Sequence, residues 1–476
     1  MKCALPRSLA IGCAALALAG CAVGPDYVRP ALAVPAAFKE DPNWKPAQPA
    51  DQQPGSAWWK IFNDAQLDAL AEQVAVANQD VRVAEASYRE AAALARQARA
   101  GLFPVLSADA SATRSQGASG NTASRSARPT TFDSLTLGAT WELDLWGGLR
   151  RSVEAAQASA QASAADLAAA TLSLQGQLVA DYLSLRVADE QRRLLADAVD
   201  AYQKSMELTD SRYRAGVAAR SDVAQARAQL EATRAQSIDV QITRAQLEHA
   251  IAILIGKAPA DFSIAAQPYA LQFPVVPALL PSTLLERRPD VAAAERHAAA
   301  ANAQIGLAQA AFFPTVTLNA NGGYSAPSGV SLFSVPYRVW SLGPVLAEKL
   351  FDAGARSAAR EQAVAGWDAA AATYRKTVLS ALQNVEDSLV ALRTLAQEAA
   401  VEADAVKAAQ ESLALTTSQY KGGTVSYLNV ITAQTTELSS RQTALTIDGR
   451  RAAATVQLIQ ALGGDWRDTG PSTGPR

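Results

Sequence analysis

The chain has 476 residues, 49% hydrophobic and 18% charged, and its 43 basic and 45 acidic side chains leave a net charge of −2. That length can bury one large core or several ordinary ones without disulfides, and near-neutral charge excludes a general nucleic-acid binder, which needs a basic stripe. Two histidines, His249 and His297, and three cysteines without ligand spacing leave no zinc or other metal centre to propose. Charge falls below the roughly 25% usual for soluble domains, and Ala makes up about one residue in five. Such a composition suits long, closely packed helices.

Residues 1–20 read as a lipoprotein signal peptide. Lys2 and Arg7 precede an apolar run, 9–19, that is too short to span a bilayer and suited to secretion. Its end, Leu18-Ala19-Gly20-Cys21, resembles the lipobox of bacterial lipoproteins, which implies a covalent lipid on Cys21 and no other cofactor. Ala22, rather than Asp, after that cysteine implies sorting to the outer membrane. Cys3 and Cys13 leave with the leader, so one thiol and no internal disulfide are expected in the exported chain. Residues 21–65 then form an N-terminal lipidated extension. No other segment carries 18 or more apolar residues in a row, so any membrane crossing falls to strands.

From residue 66 the chain says the same thing twice. Gly101-Leu102-Phe103-Pro104 returns as Ala311-Phe312-Phe313-Pro314, Tyr213-Arg214-Ala215-Gly216 as Tyr420-Lys421-Gly422-Gly423, and Leu254-Ile255-Gly256 as Ala461-Leu462-Gly463. Leu145-Trp146-Gly147-Gly148-Leu149-Arg150 returns more loosely as Leu350-Phe351-Asp352-Ala353-Gly354-Ala355-Arg356. The shift is far beyond a solenoid period, so the chain divides into a first repeat at 66–256, a linker at 257–289, a second repeat at 290–463 and a tail at 464–476.

Each repeat opens with a helix, 66–100 or 290–311, stopped by Phe-Pro because Pro denies the helix its next hydrogen bond. Two strands follow. Leu135, Leu137, Ala139, Trp141, Leu143 and Leu145 alternate with polar residues, as do Val316, Leu318 and Ala320; Gly-, Ser- and Pro-rich loops lie at 116–131 and 325–337. An apolar face backed by a Thr, Asn, Asp and Glu face fits a wall with lipid outside and water inside, and equally a half-buried soluble sheet. Next comes a very long helix, 150–213 or 357–420, of about 96 Å at 1.5 Å per residue. Its seam of Val378, Leu382, Val385, Leu389, Leu392, Ala396, Ala399, Ala403, Val406 and Leu413 has coiled-coil spacing. A rougher seam runs through Leu174, Leu178, Leu185, Ala188, Leu195, Val199, Tyr202 and Met206. A helix of 35 residues or fewer returns from each tip, at 221–255 and 428–461. Four strands cannot close a barrel; two copies give eight and a plugged wall, whereas three give twelve and room for a lumen.

Several blocks carry a family resemblance: Cys21-Ala22-Val23-Gly24-Pro25-Asp26-Tyr27, then Trp58-Trp59, Phe62, Leu67 and Asn78, then Leu284-Leu285-Glu286-Arg287-Arg288-Pro289-Asp290-Val291 with Ala294-Glu295. Together they resemble the outer-membrane factors of tripartite efflux pumps, the TolC/NodT-like lipoproteins, over essentially the whole exported chain. The resemblance implies an α+β membrane protein: a homotrimer whose long helical coiled-coil barrel continues into a twelve-stranded β-barrel, with an equatorial region that includes 259–281. It implies a periplasmic adaptor and an inner-membrane transporter as partners, outer-membrane lipid around the strands, and export of drugs or other small toxic compounds. A protein-secretion duct and a pore-less structural lipoprotein stand as alternatives. No catalytic constellation is present: no Gly-x-Ser-x-Gly, phosphate loop or His-Glu-x-x-His, so an enzyme is not expected. The same resemblance places a gate at Leu428, Asn429 and Thr432, the last two standing where many relatives have carboxylates. It places a latch between Asp222 and Tyr420, with Val425 in place of a reinforcing Arg, and adaptor contacts at Arg214, Gly216, Lys421 and Gly423.

Overall fold

A computed structural model describes residues 22–32, 35, 38–40, 57–116, 129–268 and 288–464. The leader, Cys21, the linker from 269 to 287 and the tail from 465 lie outside the described residues. The elements in chain order are α1 (Ala65–Ala77), α2 (Gln79–Ala100), β1 (Val105–Ser115), β2 (Thr130–Leu143), α3 (Gly148–Arg214), α4 (Arg220–Leu254), α5 (Pro289–Ala310), β3 (Thr315–Pro327), β4 (Arg338–Ala347), α6 (Ala355–Lys421) and α7 (Tyr427–Ala461). The duplication is written into the lengths: α3 and α6 each have 67 residues, and α4 and α7 each have 35.

The chain divides into two units, one comprising 1–31, 87–163 and 293–375, the other 32–86, 164–292 and 376–476. The first holds an antiparallel sheet in the order β1-β2-β3-β4. Leu106 pairs with Ala139, Ala139 with Ala320, and Ala320 with Leu342, so the even-numbered residues of β1, β3 and β4 share a face with the odd-numbered residues of β2. The loop expected from 325 begins later, because β3 keeps pairing with β2 as far as Pro327 opposite Phe132.

The second unit is helical. Leu67, Leu70, Ala71 and Val74 form the buried stripe of α1, spaced three and four residues apart. They pack with Trp59, Phe62, Leu178, Tyr182, Leu185, Ile251, Ile255 and Val456. Asp64 caps α1 by accepting from the N–H groups of Gln66 and Leu67, and it also receives the Tyr182 hydroxyl at 2.6 Å. One helix was expected over 66–100; two form, because Asn78 interrupts it. Its Oδ1 accepts from the N–H groups of Asp80 and Val81 at 2.8 and 3.1 Å, starting α2 afresh, while its Nδ2 donates to Leu254 O at 2.9 Å.

The first seam is buried at Leu178, Leu185, Ala188, Leu195 and Tyr202. In α6, Val378 and Val385 are buried as expected, but Leu395 and Ala409 take the inner positions and Ala396 and Ala403 are exposed in the protomer. A 3.6-residue helix drifts against a strict heptad by about 20° per repeat, enough to turn a neighbouring residue inward. Inside the α3–α4 pair a buried ionic cluster holds the start of the linker: Arg186 donates to Asp189, Gln66 Oε1 and Ala265 O, and Arg244 joins Asp189 at 2.8 Å. Arg244 also donates to Ile264 O, whose N–H is taken by Glu248.

Candidate functional site in the sheet and at the hairpin tips

On the sheet, one face carries Leu106, Ala108, Ala110, Leu135, Leu137, Ala139, Trp141, Leu318, Ala320, Trp340, Leu342 and Leu346. The other carries Ser107, Asp109, Ser111, Thr136, Thr140, Glu142, Thr317, Asn319, Asn321 and Ser341. Among the described residues nothing covers the outer part of the apolar face: Leu106 is 80% exposed and Trp340 75%. An uncovered apolar sheet face opposite a hydrophilic one is stable against lipid on one side and water on the other. Among the described residues no helix is long and apolar enough to cross a membrane.

Where the sheet gives way to the long helices, the same device occurs twice. Asp144 accepts from the N–H groups of Leu149 and Arg150 at 3.0 and 2.9 Å, and Arg150 Nε returns to it at 3.1 Å. Asp352 accepts from the N–H groups of Gly354 and Arg356 at 3.0 and 3.2 Å, and Arg356 Nε returns to it at 2.6 Å. Each carboxylate sits at the positive end of a helix dipole, and hydrogen bonding from Arg356 holds the Asp352 carboxyl below the usual carboxylate range.

A strap formed by the N-terminal extension lies in the same unit. Val23 N–H donates to Trp146 O, Asn302 Nδ2 to Pro25 O, and the Tyr27 hydroxyl to Glu295 Oε1 at 2.7 Å. The buried Arg151 gathers Asp26 and Glu154, each at 2.7 Å. Gly24 passes so close to α5 that an added Cβ would lie 2.4 Å from Gly306 Cα. Two motif blocks that the sequence offered without a reason, around Asp26-Tyr27 and Glu295, are thus partners in space. Burial, then the bond to Glu295, pushes the Tyr27 hydroxyl pKa up, so Tyr27 stays a donor at neutral pH. Cys21 lies outside the described residues, but Ala22 next to it abuts Gly147, the residue before α3.

In the helical unit the two tips have one design. Gly216 (φ 76°) and Gly423 (φ 78°) close α3 and α6 in the left-handed conformation. Behind them Val217 N–H reaches Arg212 O at 2.8 Å, and Thr424 N–H reaches Gln419 O at 3.0 Å. Arg214 is exposed and pairs with Asp210 at 2.7 Å; Gly216, Lys421 and Gly423 are exposed beside it. The expected Asp222–Tyr420 hydrogen bond is not made. Asp222 caps its own helix by accepting from Ala219 N–H at 3.4 Å, while the Tyr420 hydroxyl pairs with Thr209 Oγ1 at 3.3 Å.

The arginine looked for at position 425 comes instead from the other hairpin. Arg212 Nη1 donates to Tyr420 O at 2.7 Å and Lys421 O at 3.3 Å, and its guanidinium lies 4.6 Å from the centre of the Tyr420 ring. It caps the negative end of α6 and stacks on its last aromatic residue at once. Sequence reasoning missed Arg212 and Thr209, and no local pattern marks them, since their partners lie about 210 residues away. Leu428, Asn429 and Thr432 share the exposed face of α7, opposite the buried Tyr427, Val430, Ala433 and Gln434. Leu428 is 57% exposed, so in the protomer it is not a core leucine.

Duplicated hairpins of this length joined to an amphipathic four-stranded sheet define the α+β fold of outer-membrane channels. The family model for outer membrane efflux proteins matches residues 70–257 and 280–464, and the chain belongs to that family. It is 32% identical over 461 residues, covering 96% of this chain and 95% of the relative, to a toluene efflux pump outer membrane protein, TtgC, of Pseudomonas putida. It is 30% identical over 462 residues, with 96% and 99% covered, to the cation efflux system protein CusC of Escherichia coli. Among solved structures, the outer-membrane channel OprN superposes with a TM-score of 0.87 at 31% identity, covering 93% of this chain and 99% of that one. The protein is the outer-membrane channel component of an efflux pump.

Proposed function

We propose that three copies of this chain form an exit duct, lipid-anchored through Cys21, that takes drugs or other small toxic compounds from an inner-membrane transporter with the help of a periplasmic adaptor. The observation that carries this reading is the uncovered amphipathic sheet, which among the described residues has four strands, too few to enclose a lumen alone. The strap supports the anchor, because Val23 is tied to Trp146 in the turn between β2 and α3, from which a lipid on Cys21 reaches a bilayer surface. Cargo does not follow from kinship: one relative is named for toluene and another for cations. Passage rather than catalysis is the work assigned to the chain.

At the periplasmic tips, Leu428, Asn429 and Thr432 form the resting constriction. Arg212 and Thr209, holding Tyr420, latch one hairpin to the other, while Asp222 shapes the neighbouring turn. Exposed Arg214, Gly216, Lys421 and Gly423 meet the adaptor, where glycine allows close backbone approach. The test is conductance of the purified protein in planar bilayers. A small resting conductance that rises in Leu428→Ala, with matching entry of vancomycin into cells, is expected. An inserted protein that never conducts overturns the duct, and an unchanged Leu428→Ala removes Leu428 from the gate.

A further inference from the structure

The two rims of the sheet differ. At one, β2 and β4 lead into α3 and α6; at the other, β1 ends at Ser115, β2 begins at Thr130, β3 ends at Pro327 and β4 begins at Arg338. The apolar face reaches this far rim with a few ionisable side chains: Arg114, Asp133, Tyr324 and Arg338. Arg114 has a counter-charge on its own face, because its ladder partner is Thr131 and Asp133 stands two residues further along, within diagonal reach of a long side chain. Arg338 has none. It is exposed, with Tyr324 directly opposite on β3, and among the described residues no carboxylate pairs with it. Asp133 lies two strands away, about 10 Å at the usual strand spacing.

The surroundings of Arg338 are apolar. Phe333, 66% exposed, meets the Tyr324 ring edge-on with centres 5.5 Å apart, and Val330 and Val335 of the same loop are exposed as well. Below Arg338 on its own face come Trp340, Leu342 and Leu346, all exposed. At about 3.3 Å per residue and a tilt of about 40°, the run from Trp340 to Leu346 descends roughly 15 Å, the hydrocarbon depth of one leaflet. Arg338, two residues above the tryptophan, stands about 5 Å beyond that run, at the level of lipid headgroups.

We propose that Arg338 and the Tyr324 hydroxyl form a seat for a phosphate-bearing lipid headgroup, with the acyl chains lying along Trp340, Leu342 and Leu346. The guanidinium offers a planar fork that matches two phosphate oxygens, and the hydroxyl opposite adds a donor on a ring that Phe333 steadies. Phosphate supplies the negative charge that this part of the face lacks. A headgroup without phosphate would leave the guanidinium to water alone. The proposal rests on the reading above that the hairpin tips point into the periplasm, which puts the far rim in the outer leaflet.

Native mass spectrometry of the purified full chain, released from neutral detergent micelles, tests the seat by counting retained lipid. Bisphosphorylated lipid A is expected to stay bound, and its phosphate-free analogue to be lost. Arg338→Gln should lower the retained lipid A about fivefold and Tyr324→Phe about twofold, as one charged and one neutral donor are removed. Arg360→Gln, which deletes an exposed charge of α6 outside the sheet, should change nothing. Equal retention of the phosphate-free analogue overturns the seat and leaves Arg338 as a side chain that only reaches for water. An equal loss in Arg360→Gln reduces the attraction to overall charge, and undiminished retention in both Arg338→Gln and Tyr324→Phe removes the two residues from lipid binding. Displacement of lipid A by an equal concentration of inorganic phosphate makes the site one for the free anion. Because binding is read without any current, a chain that retains lipid A yet never conducts would remove the duct and leave the seat standing.

Discussion

Gly24 shows how much one residue can decide. Its φ of 102° lies where side-chain-bearing residues are strained, and a Cβ there would strike Gly306 Cα at 2.4 Å. The strap can lie on α5 only because both contacting residues lack side chains, and Arg151 fills the other side of Gly306. Gly24→Ala is expected to cost about 1–3 kcal/mol of strap docking. Limited proteolysis should then cut the N-terminal segment faster, with the helical circular dichroism unchanged; equal cleavage rates would show that the strap tolerates the added methyl. The motif around Gly24 was visible in the sequence, but its reason was not, because Gly306 sits in an alanine-rich helix where one more small residue carries no signal.

Among the elements, Asn78 and Tyr202 join helices distant in sequence. Asn78 is 2% exposed and serves three backbone groups on two elements. Asn78→Ala removes a cap and leaves Leu254 O without its donor, a loss of about 1–3 kcal/mol, checked by the thermal midpoint against Gln79→Ala as an exposed control. Tyr202 of α3 donates to Gln434 O of α7 at 3.0 Å, and burial pushes its hydroxyl pKa up to about 12. The unfolded chain releases that proton near the ordinary tyrosine value of about 10, while the folded one keeps it. The contribution of Tyr202 is therefore complete below pH 10 and lost as pH rises toward 12. A Tyr202→Phe chain should show a shallower decline in stability across that interval than the parent.

For the whole molecule, charge at the proposed constriction is the property with the widest effect. On α7 the stretch from Tyr427 to Thr436 contains no ionisable side chain except Tyr427. The hydroxyls of Thr432 and Thr436 donate to Leu428 O and Thr432 O of their own helix, which leaves acceptors and methyl groups facing outward. A ring of such residues has no fixed negative charge with which to hold cations. Divalent cations should leave the conductance unchanged, whereas Asn429→Asp with Thr432→Asp should make it cation-selective and sensitive to block; block of the parent channel would place an acidic group elsewhere in the path.

The sequence by itself determined the duplication, the alternating strands, the 67-residue helices to within a few residues, and the family. All of these are periodic or repeated signals that a one-dimensional pattern can carry. Only the tertiary structure decided that Asn78 breaks the opening helix, that Tyr27 answers to Glu295, and that Arg212 rather than a residue at 425 secures Tyr420. Each of these depends on hydrogen bonds between groups that only folding brings together. Arg186, beside Leu185 of the first seam, carries no signal in the sequence. Its partners on other elements show it to be what fixes the start of the linker in place.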